Sequence, residues 1–251
     1  MAATAAGALL TQQHRLAQVA LRAVLIRDLA LLWPLFEVSE FASFDQFLLA
    51  AELLVQARYG DSVGLAAGYL RLFRSVEGVP GPLDVATPPP LPSGVIRDSL
   101  RGSGLLGTLD ARRAGMSPQA ATRNGFVRVA GASTSLVLAG GRQTILESIG
   151  REPSQPHWQR ITSGRPCAFC AMLASRGPAY RSQDSAGFQA HDHCSCTPEP
   201  AYSGSRMPET SQVFRDQWRE VTHGLSGTDA LNAFRSSLEV REEPAPAAVA
   251  A

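Results

Sequence analysis

The sequence of 251 residues contains no lysine, so its 23 basic residues are all arginine. Together with abundant alanine, this bias indicates a GC-rich coding sequence more than it indicates a function. Acidic residues number 22, and the formal net charge is only +1. This balance excludes both a bulk polycation that coats nucleic acid and an acidic mimic of nucleic acid. The apolar fraction of 45% is ordinary for a globular protein and argues against wholesale disorder.

The sequence also lacks an uninterrupted apolar run long enough to cross a membrane, which takes roughly 20 residues. Its most apolar stretch, residues 19–36, contains Arg22, Arg27 and Asp28. The start of the chain lacks the basic segment that precedes the apolar part of a secretory signal. We therefore expect a protein that is soluble and intracellular when synthesised and that has no membrane partner.

Common catalytic motifs are absent as well, since neither G-x-S-x-G nor H-E-x-x-H occurs. Residues 102–107 match G-x-G-x-x-G, but no strand is predicted before them, so we interpret this segment as a loop that matches by chance. Residues 166–170 match half of a nucleobase deaminase motif. That chemistry also needs a glutamate two residues after an upstream histidine or cysteine, and none is present. We expect no enzymatic activity.

Apolar periodicity near 3.6 residues predicts a mainly α fold of the α+β type. Ser43 and Gln46 are expected to form a capping box, and Gly140–Gly141 to break a long helix. Tyr180 and Phe188 are expected to anchor the loop 178–190. Strands are predicted over 157–162 and 191–198. The predicted helices cover residues 9–33, 43–58, 61–76, 95–100, 117–149, a short segment ending near 175, 210–223 and 226–238.

Composition changes along the chain predict six segments. Six prolines between residues 78 and 94 favour a stiff, extended linker, because proline lacks the amide hydrogen that a helix needs. The segments are an N-terminal helical bundle (1–77), the Pro-rich linker (78–94), a central helical region (95–150), a small Cys/His-rich module with short strands (151–205), C-terminal helices (206–241) and a disordered tail (242–251).

All four cysteines lie between residues 167 and 196, which chance placement would rarely produce. They follow the pattern C-x2-C, twenty intervening residues, then H-x-H-C-x-C. Zinc binds thiolate and imidazole ligands tetrahedrally, and a C-x2-C turn at a helix start lets two sulfurs face one point. We predict a structural zinc site whose four ligands include Cys167 and Cys170. The remaining two come from His191, Cys194 and Cys196.

Other interpretations of this cluster remain open. In an extended strand, His193 points away from Cys194 and Cys196, so we leave it out of the ligand set. A redox C-x-x-C is a second interpretation, but the helical chain before it does not provide a thioredoxin-like βαβ context. Buried thiols or disulfides without a metal are a third.

The segment 157–200 closely resembles the minor head proteins of tailed phages that are similar to the F protein of phage Mu (MuF-like). The resemblance rests on Trp158, on the C-x2-C pair, and on an H-x2-C-x-C about twenty residues later. The motif positions are matched at Cys167, Cys170, His191, Cys194 and Cys196. Their role as metal ligands is a chemical inference that the family does not supply. An Ala-rich chain with arginine in place of lysine suits an actinobacterial host.

The resemblance implies a low-copy minor capsid protein that acts in head morphogenesis at the portal vertex. Its partners would be the portal protein and other capsid proteins, with packaged DNA as a further contact. Its location would be the virion, after assembly in the host cytoplasm. Two alternatives from other classes stay open. One is a metal-dependent hydrolase or nuclease that uses His191, Asp192 or His193. The other is a zinc-stabilised nucleic-acid-binding module that uses the arginines at positions 160, 165, 176 and 181.

Overall fold

The computed structural model describes residues 2–162, 164–181 and 187–240, which form eight α-helices and two strands. The mainly α fold is therefore confirmed. No helix in these ranges has both the length and the apolarity of a membrane span. The helices are α1 (Ala5–Leu32), α2 (Phe44–Val76), α3 (Ser93–Leu100), α4 (Gly107–Arg113), α5 (Pro118–Arg151), α6 (Ala168–Ala174), α7 (Glu209–Val221) and α8 (Gly227–Val240). The strands are β1 (His157–Ile161) and β2 (Thr197–Ala201).

Three long helices, α1, α2 and α5, pack against one another and form the long-helix layer. Their apolar faces meet in a core that includes Leu25, Phe47 and Val137, all fully buried. Aromatic rings close one end of this core, where Trp33 packs edge-on against Phe47 with ring centroids 4.9 Å apart. Each large apolar side chain buried in this way stabilises the fold by about 1.5–3 kcal/mol. The layer is therefore held mainly by apolar burial.

Helix α2 is continuous, so the predicted division between residues 58 and 61 is wrong. Residues on both sides of the predicted break are buried against α1 and α5, and this packing outweighs the weak helix propensity of Gly60. The predicted capping box is also wrong. Ser43 has helical backbone angles and makes no side-chain cap. Its hydroxyl instead accepts a hydrogen bond of 2.8 Å from the amide of Glu37.

Helix α5 is likewise unbroken at Gly140–Gly141, in contrast to the prediction. Both glycines lie where α5 packs directly against α2. A Cβ at Gly140 would lie 3.0 Å from the side chain and the backbone of Tyr59. One at Gly141 would lie 2.8 Å from Nε2 of Gln18, and the Gly141 amide donates a hydrogen bond of 3.0 Å to the Ser62 hydroxyl. These glycines allow close packing of the helices.

The Pro-rich segment forms no helix or strand over residues 79–92, as its composition predicts. It lies along α5, where the amide of Ala86 donates a hydrogen bond of 2.9 Å to the hydroxyl of Ser148. The predicted loop at residues 102–107 is wrong, because Arg101–Leu106 forms a π-helical turn that joins α3 to α4. The domain boundaries stay predictions, and the predicted tail at 242–251 lies outside the described residues.

The two strands form an antiparallel pair in which His157 lies opposite Ala201 and Ile161 opposite Thr197. The first strand was predicted almost to the residue. The second begins only at Thr197, so the predicted strand over 191–198 is wrong for most of its length. The reason is a turn: the amide of Cys194 donates to the carbonyl of His191, and His193 has a φ of +65°, which an extended strand does not allow.

Candidate metal centre

The structure brings the five predicted ligands together in one cluster. Their donor atoms form two groups of three, and within each group all atoms lie within 4.8 Å of one another. Cys170 is a member of both groups and so lies at the centre of the cluster. The first group is Cys167, Cys170 and His191, and the second is Cys170, Cys194 and Cys196.

The start of helix α6 directs the first two sulfurs toward the same point. Cys167 is the N-cap residue, with extended backbone angles, and its sulfur accepts a hydrogen bond of 3.4 Å from the amide of Cys170. A side chain at the N-cap normally satisfies one of the free amides of the first helical turn. The C-x2-C spacing therefore places Cys167 at the rim and Cys170 in the buried interior.

His191 is oriented by its own turn. Its Nδ1 lies 2.6 Å from the carbonyl oxygen of Asp192, which can only accept, so Nδ1 carries the proton. The lone pair is then on Nε2, which lies 2.9 Å from the sulfur of Cys167 and 3.6 Å from that of Cys170. Metal-bound histidines are typically held in this way by a carbonyl behind the ring. Asp192 and His193 belong to neither donor group.

Two of the distances match the edges of a tetrahedral zinc site, whereas the contact of 2.9 Å between the Cys167 sulfur and His191 Nε2 is shorter than such an edge. With Zn–S near 2.3 Å, two sulfurs of a tetrahedron lie about 3.8 Å apart, and a sulfur and a nitrogen slightly closer. The sulfurs of Cys170 and Cys194 are 3.7 Å apart. The separation of 3.6 Å between Cys170 and His191 Nε2 matches the second type of edge. Thiolate and imidazole are also the donor types that zinc prefers.

Electrostatics inside the cluster favour a bound cation. Hydrogen bonds from the thiol and the amide of Cys170, with the nearby His191, lower the pKa of Cys167 to about 5 despite partial burial. Hydrogen bonds from the thiols of Cys170 and Cys196, with the charge of Arg142, lower the pKa of Cys194. The pKa of Cys170 is raised, because its sulfur donates to the neighbouring thiolates. A metal ion bound by the sulfurs would offset their charge and let all the thiols ionise together.

Two buried arginines support the cluster, and the sequence analysis identified only one of them, in a different role. Arg160 is 1% exposed; it donates to the carbonyl of Gln189 at 2.6 Å and lies 3.7 Å from the sulfur of Cys170. Arg142, on α5, donates to the carbonyls of Cys194 at 2.7 Å and Cys196 at 3.1 Å. Arg142 is a charged residue on a face of α5 that is otherwise apolar. This feature of the sequence could have identified it.

A stack of aromatic rings covers the buried guanidinium of Arg160. The ring of Phe188 lies between the guanidinium of Arg160, 3.8 Å from its centroid, and the ring of Trp158, 5.5 Å away. Trp158 in turn stacks on Tyr180 at 4.4 Å. The expectation that Tyr180 and Phe188 anchor their loop is therefore confirmed. The stack shields Arg160 from water and fixes its position beside Cys170.

Comparison with known proteins identifies the family to which the chain belongs. A family model described as VG15 protein matches residues 7–221, which include both the long-helix layer and the metal centre. The chain belongs to the VG15 protein family. It is 26% identical over 159 residues to the Gene 15 protein of Mycobacterium phage D29. That match covers 61% of this chain and 53% of the relative, so it spans about half of the relative's length. No solved structure matches. These similarities indicate a phage protein.

Proposed function

We propose that this VG15 family member is a structural protein of the phage head, of the MuF-like minor capsid type. The observation that carries the proposal is the family match over residues 7–221 together with a mycobacteriophage relative. The MuF-like motif adds to it, because its five matched positions are the residues that come together around Cys170. A mycobacteriophage relative also suits the actinobacterial host that the composition suggests.

The metal in this proposal is zinc, in a structural role. Two short strands and a seven-residue helix bury little apolar surface, so a module of this size benefits from a metal. Structural zinc supplies on the order of 10 kcal/mol to small folds. Four of the five donors suffice for a closed site, and a closed site leaves no position for a substrate. In this proposal the centre has a structural role and no catalytic one, and Asp192 and His193 are not required.

The partners in this proposal are the portal protein and other capsid proteins, and the location is the virion. Long helices provide extended faces on which the helices or grooves of a ring-shaped assembly can pack. Contact with packaged DNA would use exposed arginines such as Arg165 and Arg176. Arg160 is buried behind Phe188, so the nucleic-acid-binding alternative loses one of its four arginines.

The assembly role is tested in particles. Proheads and mature virions are purified from infected cells and analysed by quantitative mass spectrometry, in parallel with a phage in which this gene is deleted. We expect the protein in both particles at a small fraction of the copy number of the major capsid protein, and few DNA-filled heads without it. Absence from proheads and virions would contradict the proposal.

The zinc site is tested on the purified full chain. Metal content is measured by mass spectrometry on protein prepared without chelator, and the thiols are counted before and after a chelator is added. We expect about one zinc ion per chain, as a single four-ligand site takes, with thiols that react only after chelation. A metal-free protein with reactive or disulfide-bonded cysteines would exclude the site. Loss of zinc from a His191→Ala variant would assign His191 as one of the four ligands, whereas His193→Ala, in the same turn, should keep zinc.

A further inference from the structure

The donors of the metal centre come from two different parts of the molecule. Cys167 and Cys170 belong to the start of α6, which packs with α7 and α8 around a small core of their own. Phe234 is fully buried in that core, and Trp218 packs edge-on against it at 5.1 Å. We refer to α6, α7 and α8 as the C-terminal helical unit. The first two sulfurs therefore belong to this unit.

The other donors lie in a segment that is held by the long-helix layer. The main contact comes from Arg142 of α5, whose guanidinium donates to the carbonyls of Cys194 and Cys196. A second contact comes from α1, where Arg22 donates to the hydroxyl of Ser195 at 3.1 Å. Residues 194–196 are all buried. Their position is therefore set by α1 and α5.

Gly131 provides a third contact on the same face of α5. It lies eleven residues before Arg142, which is about three helical turns. A Cβ at this position would lie 2.6 Å from Nε2 of His193 and 3.0 Å from Cβ of Asp192. Glycine therefore lets the turn of residues 191–194 lie directly against the helix. This gives His193 a packing role and explains why it lies outside the donor groups.

We infer that Arg142 is a positioning residue of the metal centre, and that metal binding through it ties the C-terminal helical unit to helix α5. This inference rests on the proposed metal site. A metal held by sulfurs of α6 and by donors of residues 191–196 joins the two parts. Arg142 provides this link because its guanidinium holds two backbone carbonyls at once. Its Nε donates to the carbonyl of Cys196, and its Nη2 donates to the carbonyl of Cys194. Lysine, with one ammonium group, cannot reproduce this fork.

The first experiment measures metal affinity. Full-length protein is titrated with Co²⁺ in competition with a chelator, and the thiolate-to-cobalt and d–d absorption bands report the ligand set. We expect Arg142→Gln to weaken Co²⁺ binding by about 10–100-fold, as substitutions behind metal ligands do, while the bands show the same ligand set. Arg142→Lys should recover only part of this loss.

Arg74 provides the matched control. It too is a buried arginine that donates to two backbone carbonyls, of Pro80 and Gly81, but its partners lie outside the cluster. We expect Arg74→Gln to destabilise the fold while the folded protein binds Co²⁺ as tightly as the wild type. Equal affinities of wild type and Arg142→Gln would overturn the inference. If the wild type itself binds no metal, the proposed metal site fails, and this inference fails with it.

The second experiment tests the link between the two parts by hydrogen exchange of the full chain. Chelation of the wild type should raise exchange in α6 and β2 and leave α2 and the centre of α5 protected. Metal-loaded Gly131→Leu should show the same local increase, because its side chain displaces residues 192–193 while leucine favours the helix. Unchanged exchange in α6 upon chelation would overturn the inference even if metal binds.

Discussion

In the long-helix layer the buried side chains are mostly apolar, whereas in the Cys/His module many of them are polar. Leu25, Phe47 and Val137 are fully buried in the layer. In the module, Gln159 and Glu199 are fully buried on facing strands and share a hydrogen bond of 2.6 Å. The layer therefore depends on apolar area, and the module depends on specific polar partners.

This difference predicts how each part responds to change. Apolar packing is non-directional, so a substitution in the layer costs the area and volume that it removes. A buried polar group has a large desolvation cost, so the loss of one partner leaves the other uncompensated. Substitutions in the module should therefore be less tolerated than substitutions of similar size in the layer. Four predictions, each confined to one part or to the boundary, test this contrast.

The largest effect is expected from Cys170→Ser, which removes the sulfur that both donor groups share. The module should lose a metal contribution on the order of 10 kcal/mol. Metal analysis should find less than a tenth of the wild-type zinc, and proteolysis should cleave the module and spare α2 and α5. Wild-type zinc content in this variant would show that Cys170 is not a ligand.

A smaller effect is expected from a substitution in the long-helix layer. Phe47 is fully buried against Trp33, so Phe47→Ala should lower the free energy of unfolding by about 3–5 kcal/mol. Urea denaturation followed by circular dichroism measures this loss. The affinity of the folded protein for Co²⁺ should not change, because the core around Phe47 holds none of the donors. A parallel loss of metal affinity would mean that the two parts are not separable.

His14 tests the boundary between the parts, where it lies beside Arg142 and Cys196. Burial lowers its pKa from 6.5 to about 4. The folded protein thus keeps His14 neutral, while the unfolded chain takes up a proton between pH 6.5 and 4. The free energy of unfolding should therefore fall by about 3 kcal/mol as the pH drops through this window.

A His14→Leu variant isolates this contribution. The free energy of unfolding of both metal-loaded proteins is measured by urea denaturation at pH 7 and at pH 5. The acid sensitivity of the thiolates is common to both proteins, so it cancels when the two pH-dependent changes are subtracted. The variant should be less sensitive to acid than the wild type. Equal pH dependence in the two proteins would show that His14 is not held neutral by burial.

The smallest effects come from two glycines of the layer, with opposite signs. A Cβ at Gly141 would crowd Gln18 and Ser62, so Gly141→Ala should cost about 2 kcal/mol. No atom lies within 4 Å of a Cβ at Gly64, so Gly64→Ala should stabilise the protein by about 1 kcal/mol through helix propensity. Thermal denaturation of the two variants measures both. Stabilisation by Gly141→Ala would show that α2 and α5 do not pack closely there.

Local patterns predicted most of the helices and one strand of this protein. The predicted start of a helix at residue 117 is confirmed, since the hydroxyl of Ser117 accepts a hydrogen bond from the amide of Ala120 at the start of α5. The predicted end of the short helix near residue 175 is confirmed, since α6 ends at Ala174 and Gly177 after it has a φ of +64°. The wrong division between residues 58 and 61 and the wrong break at Gly140–Gly141 have the same explanation: packing between long helices kept both helices intact.

The sequence by itself determined the mainly α fold and the identity of the candidate ligands. Both depend on spacing within a few residues: the 3.6-residue period, and the C-x2-C and H-x2-C-x-C patterns. Only the tertiary structure decided that Cys170 lies at the centre of the cluster, and that Arg142, more than fifty residues before the second cysteine pair, holds that pair in place. Contacts between segments so far apart depend on how whole helices pack, which no local pattern specifies.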